Sequence, residues 1–217
     1  MIAEVPTKST RTAPPEARRQ QLIKATITSI SKHGISGTTL AKVTQEAGLS
    51  LGLVNFHFES KEVLLAATLA DLADEHRSLW ISKSSRSDIS PASKLQAIVD
   101  AQFDPKVCNR RKLSVWFAFF GETKHRQAYR KVSGAVDEER QIVTADLCAA
   151  IVAEGGYARI APNEVSGMLE GLFDGLWLNI LMYPKRFTRQ MARDHVASYL
   201  HLCFPKHFRG GADDPVT

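Results

Sequence analysis

The chain has 217 residues, with 28 Lys and Arg against 23 Asp and Glu, which gives a formal charge of +5. Hydrophobic residues make up 44% and charged residues 24% of the chain, which is typical of a globular protein and excludes a disordered or fibrous one. No apolar run approaches the length of a bilayer span and no signal-peptide core opens the chain, so we expect a cytoplasmic protein with no membrane segment. The three cysteines are widely separated and contain no CxxC pair, so we expect reduced thiols.

The N-terminal region is rich in positive charge. Its Lys and Arg residues up to position 32 are Lys8, Arg11, Arg18, Arg19, Lys24 and Lys32, against Glu4 and Glu16. We predict a flexible basic arm over residues 1–14, which could follow a phosphate backbone or remain a solvated tail. Pro14 and Pro15 mark the start of the first helix, because Pro is well tolerated there, and Gly34 marks its end.

Residues 39–65 hold two short helical patterns around a tight turn. Gly48 offers the left-handed backbone that ends a helix without a Cβ penalty. Ser50 is the predicted N-cap of a second helix over residues 51–56, because its hydroxyl can accept a free backbone N–H. A helix, a Gly-containing turn and a helix form the DNA-reading helix-turn-helix, although helical hairpins also occur in proteins that bind no nucleic acid.

The rest of the chain shows helical spacing separated by Pro, Gly and polar turns, with no repeat and no convincing strand. The remaining helices are predicted to begin at Ser60, Pro91, Lys112, Thr123, Pro162 and Thr188. The fold class is therefore all-α, with about nine helices. We predict a three-helix DNA-binding head over residues 15–60, a larger helical ligand-binding and dimerisation domain over 61–205, and a flexible tail over 206–217.

The eighth predicted helix is apolar on two sides, which indicates that it is enclosed on two sides. One face holds Val165, Leu169, Leu172, Leu176 and Ile180, and nearly opposite lie Glu170, Asp174, Trp177 and Leu181. Gly167, Gly171 and Gly175 would let another helix approach closely. We expect a homodimer built on helices 8 and 9, with Leu172 and Leu176 in the interface.

Asp174 stands among apolar residues, where a carboxylate is costly unless it has a partner. One interpretation is an ion pair with Arg or Lys, or partial exposure at an interface rim. The other is that Asp174 and Glu170 face a bound cation. The aromatic residues that could surround such a cation are Trp116, Phe120, Trp177 and Tyr183. Each aromatic contact would contribute about 0.5–2 kcal/mol, although core packing is the alternative for each ring.

The run T-L-A-K-V-x-x-x-A-G-L-S-x-G-x-V-x-F-H-F-x-x-K-x-x-L over residues 39–65 resembles the DNA-binding motif of TetR-family transcriptional regulators. Asn55 departs from the pattern, because the family often has a phosphate-contacting Tyr there, and Thr44 replaces a common Ala. Asn55 can still donate to a phosphate or read adenine. The residues that we expect at the DNA are Arg18, Thr39, Ser50, Leu51, Asn55 and Phe56, with His57 and Lys61 as phosphate contacts.

Three further strings resemble the BetI-type branch of that family, the choline-responsive repressors of glycine-betaine synthesis. They are K-L-Q-A-I-V-x-x-x-F-D in helix 5, W-F-A-F-F in helix 6 and G-L-x-D-G-L-W-L in helix 8. The likeness covers about residues 15–205. It implies a homodimeric repressor of a pseudo-palindromic operator, released by a small cationic effector such as choline. The alternative is a TetR-type regulator of another pathway, with a different and possibly neutral or aromatic effector.

Two other function classes are less well supported. The seven histidines are scattered without HExxH spacing, so we expect no metal site. The sequence also lacks GxSxG, P-loop and GxGxxG motifs, so we expect neither an enzyme with catalytic residues nor a cofactor. The run Asp137-Glu138-Glu139 is interpreted as a solvated helix face rather than a metal site. A constitutive DNA-packing protein would not need an aromatic-lined helical domain of this size. Thermal stabilisation by small cations would separate a regulator from a packing protein, and turnover of such a ligand would indicate an enzyme.

Overall fold

The computed structural model describes residues 14–121 and 123–209, without the side chains of residues 123–126, 128 and 129. Within those ranges the chain is helical and contains no strand, which confirms the all-α prediction. The helices are α1 Pro15–Gly37, α2 Leu40–Ala47, α3 Leu51–His57, α4 Lys61–Ser84, α5 Pro91–Gln102, α6 Arg110–Gly121, α7 Thr123–Gly155, α8 Pro162–Met182 and α9 Arg189–Cys203. The predicted arm up to residue 13 and residues 210–217 of the predicted tail lie outside the described residues. The start of the tail is not flexible as predicted, because Phe208 is buried and Lys206 is hydrogen-bonded to Gly155 and Tyr157.

The chain divides into two compact units, and the boundary falls inside α4, between Thr68 and Leu69. The sequence pattern had placed the boundary before α4, at residue 60. The difference arises because the first two turns of α4, with the buried Leu64 and Leu65, belong to the N-terminal unit.

The N-terminal unit is organised around α1. Its first turn carries Pro15, and its apolar face buries Leu22, Ile23, Ile27 and Ile30. The backbone leaves helical geometry at Gly34, where φ is +69°, a conformation that side-chain-bearing residues rarely adopt. Helix α1 therefore breaks at Gly34, where the sequence predicted its end, and one further short turn continues to Gly37.

The turn between α2 and α3 has the geometry that its sequence predicts. Gly48 is left-handed, with φ 63° and ψ 35°, and the Leu49 amide donates to the Thr44 carbonyl at 3.0 Å. The Ser50 hydroxyl caps α3 by accepting the Leu53 amide at 3.4 Å. The Gln21 amide nitrogen donates to the Ala47 carbonyl at 2.7 Å, so α1 holds the end of α2 in place.

The C-terminal unit is built on α7, which packs against α5, α6 and α8. The sequence predicted an apolar stripe of Val132, Val136, Val143, Leu147 and Ile151 on this helix. Of these Ile151 is fully buried, and Val143 and Leu147 are half-buried and pack against the core cluster of Trp80, Ile98 and Ala101. The fully buried stripe runs through Ser133, Arg140, Thr144, Cys148 and Ile151. A polar stripe can occupy the interior here because Arg140, its one charged member, is ion-paired with Asp137 and Glu170.

Four of the five residues of the predicted apolar face of α8 are buried, and the buried surface also extends to the predicted opposite face at Trp177. The buried residues of α8 are Val165, Ser166, Leu169, Phe173, Leu176, Trp177 and Ile180. The two large aromatic side chains, Phe173 and Trp177, are buried as well, whereas Leu172 is only half-buried. Leu176 is 5% exposed within the protomer, so its prediction as an interface residue was wrong.

None of the helices in the described part of the chain combines the length and the hydropathy that a bilayer span needs. All three cysteines are free thiols. Burial raises the pKa of Cys108 and that of Cys148 to about 12, so neither thiol ionises at neutral pH.

Candidate functional site

Helix α3 has one fully buried residue, Val54, and two half-buried ones, Leu53 and His57, and its remaining side chains are exposed. Leu51 is 50% exposed and Phe56 is 76% exposed, and Asn55 is exposed beside them. Large apolar side chains on a short exposed helix indicate a contact surface rather than a packing surface. An amide, an aliphatic side chain and an aromatic ring can together contact base edges and thymine methyl groups in a major groove.

Thr39 and Ser50 lie at the starts of α2 and α3 and are both exposed. Each hydroxyl oxygen caps its helix, since Thr39 accepts the Lys42 amide at 3.2 Å and Ser50 accepts the Leu53 amide. The hydroxyl hydrogens remain able to donate to a phosphate oxygen. Both predicted positions are therefore compatible with a backbone contact that fixes the head on DNA.

The predicted basic contacts already have partners inside the head. Arg18 donates to the Gln21 side chain at 2.9 Å, and the Lys61 ammonium donates to the Ile35 carbonyl at 2.8 Å. Lys61 thereby ties the start of α4 to the end of α1, and two of its N–H groups remain for a phosphate. His57 is half-buried between the rings of Phe56 and Phe58. A direct DNA role for these residues stays a prediction.

The C-terminal unit contains a cavity of about 500 Å³. It is lined by His76, Gln102, Trp116, Phe120, Gly134, Asp137, Glu138, Arg140, Gln141, Glu170, Phe173, Asp174 and Trp177. Five of the six predicted ligand residues are in this lining. Tyr183 is not, because it lies after the last residue of α8 and is 55% exposed. The aromatic role predicted for Tyr183 is therefore not supported by its position.

Trp177 is the centre of the aromatic wall. Its ring lies 5.5 Å from the His76 ring and 6.4 Å from the Trp116 ring, measured between centroids. Its indole N–H donates to the Gln102 carbonyl at 2.9 Å, which fixes the ring plane. The sequence pattern had placed Trp177 opposite the core, but it is buried with the core residues and still borders the cavity.

Glu170 is held in a buried ion pair. Arg140 binds it through two guanidinium nitrogens, Nε at 3.1 Å from Oε1 and Nη2 against Oε2, and Nη2 also lies 3.2 Å from Asp137. Burial lowers the pKa of Arg140, but the hydrogen bonds and charges of its carboxylate partners outweigh that effect and raise the pKa above its ordinary value. The ion-pair interpretation of the sequence therefore applies to Glu170.

Asp174 differs from Glu170, although it lies one turn further along α8. Among the described residues, no ion pair or hydrogen bond joins its carboxylate to another side chain or backbone group. Asp174 is exposed to solvent at the mouth of the cavity, and partial desolvation there, with the charges of Asp137 and Glu170, raises its pKa from 3.8 to about 6 against the opposing effect of Arg140. Asp174 and Glu138 are therefore the two carboxylates in the cavity lining without a direct partner among the described residues, and the raised pKa of Asp174 marks it as a candidate functional group.

Several cavity residues were missed by the sequence pattern. Arg140 and Gln102 were not considered, and Asp137 and Glu138 were interpreted only as a solvated face. The sequence did hold one signal for Arg140, because it shares a helical stripe of α7 with the small polar residues Ser133 and Thr144. Only the packing of α8 against α7 shows that this stripe faces inward. His76 was predicted to be buried in the core, and it is 4% exposed. Burial and the charge of Arg140 lower the pKa of His76 to about 3, against a hydrogen bond with Gln102, so its ring is neutral at pH 7.

Over the described ranges, no group of three or more His, Cys, Asp or Glu residues is arranged to hold a metal ion. The cavity chemistry is instead that of a binding site, with aromatic faces, one guanidinium and several carboxylates. No nucleophile with an adjacent base lines it.

Two family models match the chain. Residues 22–68 match the model of bacterial regulatory proteins of the tetR family, and residues 91–205 match that of the C-terminal domain of BetI-type transcriptional repressors. The HTH-type transcriptional regulator BetI of Paraburkholderia xenovorans is 34% identical over 190 residues, covering 86% of this chain and 93% of the relative. The BetI regulator of Burkholderia mallei is 36% identical over 166 residues, covering 75% of this chain and 81% of the relative.

Solved structures share the fold. A transcriptional regulator of Pseudomonas aeruginosa matches with a TM-score of 0.77 and 25% identity, over 94% of this chain and all of its own length. A regulator of Saccharomonospora viridis in complex with choline matches with a TM-score of 0.70 and 17% identity, over 86% of this chain and 96% of its own. With the family models and relatives, these findings identify a regulator rather than an enzyme. The chain belongs to the TetR family of transcriptional regulators, in the branch of BetI-type DNA-binding repressors.

Proposed function

We propose that this repressor binds a pseudo-palindromic operator as a homodimer, and that a small cation in the α8 cavity weakens operator binding. The observation that carries the effector assignment is Asp174, a carboxylate with a raised pKa and no direct partner in a cavity walled by Trp116 and Trp177. Choline, a quaternary amino alcohol, is the leading candidate.

The cavity has the chemistry that a quaternary ammonium requires. Such a cation has no N–H to donate, so it is held by the negative faces of aromatic rings and by a counter-charge. Trp116 and Trp177 supply aromatic surface, and Asp174 supplies a carboxylate that is not neutralised by an ion pair. Glu170 contributes less than the sequence suggested, because its two oxygens already bind Arg140.

The net charge of the cavity also favours a cation. Asp137, Glu170 and Asp174 line it together with a single guanidinium, that of Arg140. After desolvation, which raises the pKa of Asp174 most, the charges of Asp137 and Glu170 raise it further. A cation relieves this repulsion, whereas an anion increases it. The choline complex of the S. viridis regulator is consistent with a quaternary amine in this fold.

The proposed dimer interface is the exposed apolar stripe of α8 and α9. Its large members are Met168, Leu178, Met182, Met191 and Leu202, which are 40–79% exposed. Gly171 and Gly175 lie on the same side of α8, and a Cβ at either position would meet nothing within 4 Å in the protomer. Packing inside the protomer therefore does not require glycine there, and a close partner helix would.

Two copies of the head are needed because one reading helix covers only a few base pairs. A dimer can place two reading helices about 34–36 Å apart, in successive major grooves. Helix α4 has residues in both units, so it is the candidate element that carries an effector-induced change to the head. A coupling of about 1–3 kcal/mol would change operator affinity roughly five- to 150-fold.

The effector affinity should depend on pH through Asp174. Its carboxylate is charged above a pKa of about 6 and protonated below it, so the affinity for a cation should fall as pH decreases. We expect choline to bind up to about ten-fold more weakly at about pH 5 than at about pH 8. Calorimetric titration measures this directly, because choline keeps its charge throughout. A flat profile would remove Asp174 as the counter-charge.

The exposed side chains of α3 should determine operator affinity with little effect on folding. We expect Asn55→Ala and Leu51→Ala each to weaken specific operator binding by about five- to 150-fold. The melting temperature of each variant should change as little as it does for an ordinary surface substitution, because both side chains are exposed. Fluorescence anisotropy with specific and scrambled DNA measures the effect, and Asn163→Ala on α8 is the control. Unchanged binding by both α3 variants would contradict this contact surface.

A neutral or aromatic effector is the second candidate, because Phe120 and Phe173 also line the cavity of about 500 Å³. The two candidates are separated by a thermal-shift screen of choline, betaine aldehyde, glycine betaine, carnitine, polyamines and neutral analogues. Stabilisation by quaternary amines alone supports the cationic effector. Stabilisation by neutral aromatic compounds alone would replace it.

A further inference from the structure

Another cavity of the C-terminal unit, of about 470 Å³, is lined by residues from the start of α6, the end of α8 and the start of α9. It shares no lining residue with the cavity that contains Asp174. Its lining includes three apolar residues, Ile180, Pro184 and Phe187. The proposed effector site does not account for this cavity.

The charge of this cavity is positive. Its charged lining residues are Arg110, Arg189 and Arg193, and no carboxylate lines it. Within the described ranges, none of these guanidinium groups forms an ion pair with Asp or Glu. Arg110 and Arg189 are also the first residues of α6 and α9, where the positive end of the helix dipole adds to their charge. Three like charges at one cavity repel each other, and a bound anion would relieve this repulsion.

Anchoring of the loop between α5 and α6 explains part of this arginine cluster. Arg193 donates to the Phe103 carbonyl at 3.2 Å, and its other nitrogens donate to a neighbouring side chain of α9. Arg189 donates to the Cys108 carbonyl at 3.2 Å, which uses one of its five N–H groups. The guanidinium group of Arg110 has no hydrogen bond to another described residue. Loop anchoring therefore leaves donors of Arg110 and Arg189 for a ligand.

We infer that this cavity binds an organic phosphate, a phosphate monoester whose small apolar body lies against Ile180, Pro184 and Phe187. A phosphate monoester carries a charge of about −1.5 to −2 near pH 7, and its three oxygens can accept from several guanidinium groups at once. A carboxylate has one charge and two oxygens, so it matches three arginines less well. The inference is independent of the effector in the α8 cavity.

The test compares three probes by calorimetric titration of the full-length wild-type protein at about pH 8, where phosphates are dianions. Phenyl phosphate has both the phosphate and an apolar ring. Inorganic phosphate lacks the ring, and benzyl alcohol lacks the charge. Phenyl phosphate should bind saturably and at least about ten-fold more tightly than either of the other two, because only it satisfies the guanidinium groups and the apolar lining together.

Two adjacent arginines of α6 provide a variant and its matched control. Arg110→Gln should weaken phenyl phosphate at least about ten-fold, because it removes a charged donor from the cavity. Arg111→Gln removes the same charge from the next residue, which is exposed and does not line the cavity, so its affinity should equal that of the wild type. Both arginines are exposed, so the melting temperatures of the two variants should agree.

The outcomes decide the inference separately from the proposed function. Absence of saturable phenyl phosphate binding to the wild type would overturn the site, and so would equal affinity for benzyl alcohol. Equal affinity for inorganic phosphate would overturn the apolar body of the ligand. Equal weakening by Arg110→Gln and Arg111→Gln would show a general charge effect instead of a site in this cavity. Choline titration of the same variants tests the α8 cavity alone, because the two cavities share no lining residue.

Discussion

The Asp174→Asn variant is expected to lose most of its response to choline and to unfold at a higher temperature than the wild type without ligand. Choline should be needed at about ten-fold or higher concentration to release the operator, because the variant lacks the counter-charge. Stability should rise because a raised carboxylate pKa means that ionisation of Asp174 destabilises the folded state. Operator titrations with choline and thermal unfolding measure the two effects.

The pH dependence of this stability difference follows from the direction of the shift. The pKa of Asp174 rises on folding from 3.8 to about 6, so the advantage of Asn should be present above about pH 6 and absent below about pH 4. Ligand-free DNA binding should be unchanged. If the Asp174→Asn variant responded to choline at the same concentrations as the wild type and melted at a lower temperature, Asp174 would be a structural carboxylate. Glu170→Gln is the matched comparison, and we expect it to destabilise the protein because it leaves buried Arg140 without its main partner.

The Gly171→Leu/Gly175→Leu double variant is expected to be a folded monomer with at least about 100-fold weaker operator binding. Each protomer has room for these side chains, because a Cβ at either glycine meets nothing within 4 Å. Leu is also the better helix former by nearly 1 kcal/mol per position. The double variant should therefore lose dimer formation and not the stability of the folded protomer. Sedimentation velocity and circular dichroism measure the two separately.

A control addresses the general effect of added surface leucine. Ala149→Leu places the same side chain on an exposed position of α7 and should leave the dimer intact. A double variant that sediments as a dimer and binds the operator like the wild type would show that the α8 stripe is not the interface. Leu176→Glu is unsuitable for this test, because Leu176 is buried within the protomer and its replacement would unfold the domain.

The head was the most predictable part of the molecule. The turn depends on contacts between residues near one another in the chain, so Gly48, Ser50 and the break at Gly34 could be located from residue type alone. The contacts that hold the head together were not predictable in the same way. Lys61 reaches the Ile35 carbonyl across 26 residues, and no local pattern distinguishes that contact from a free, phosphate-binding ammonium.

The sequence by itself determined the helices, the helix-turn-helix and the candidate carboxylates and aromatics of α8, because capping, turn chemistry and helical spacing act over a few residues. Only the tertiary structure decided which of those groups has a partner. Arg140 lies 30 residues from Glu170 and binds it rather than Asp174, which leaves Asp174 as the carboxylate of α8 in the cavity without a direct partner. The tertiary structure also decided that Phe173 and Trp177 are buried with the predicted apolar face, while Gly171, Gly175, Leu178 and Met182 are exposed. The physical reason is that burial of large aromatic area and compensation of a buried charge depend on neighbouring helices, which helical spacing does not specify.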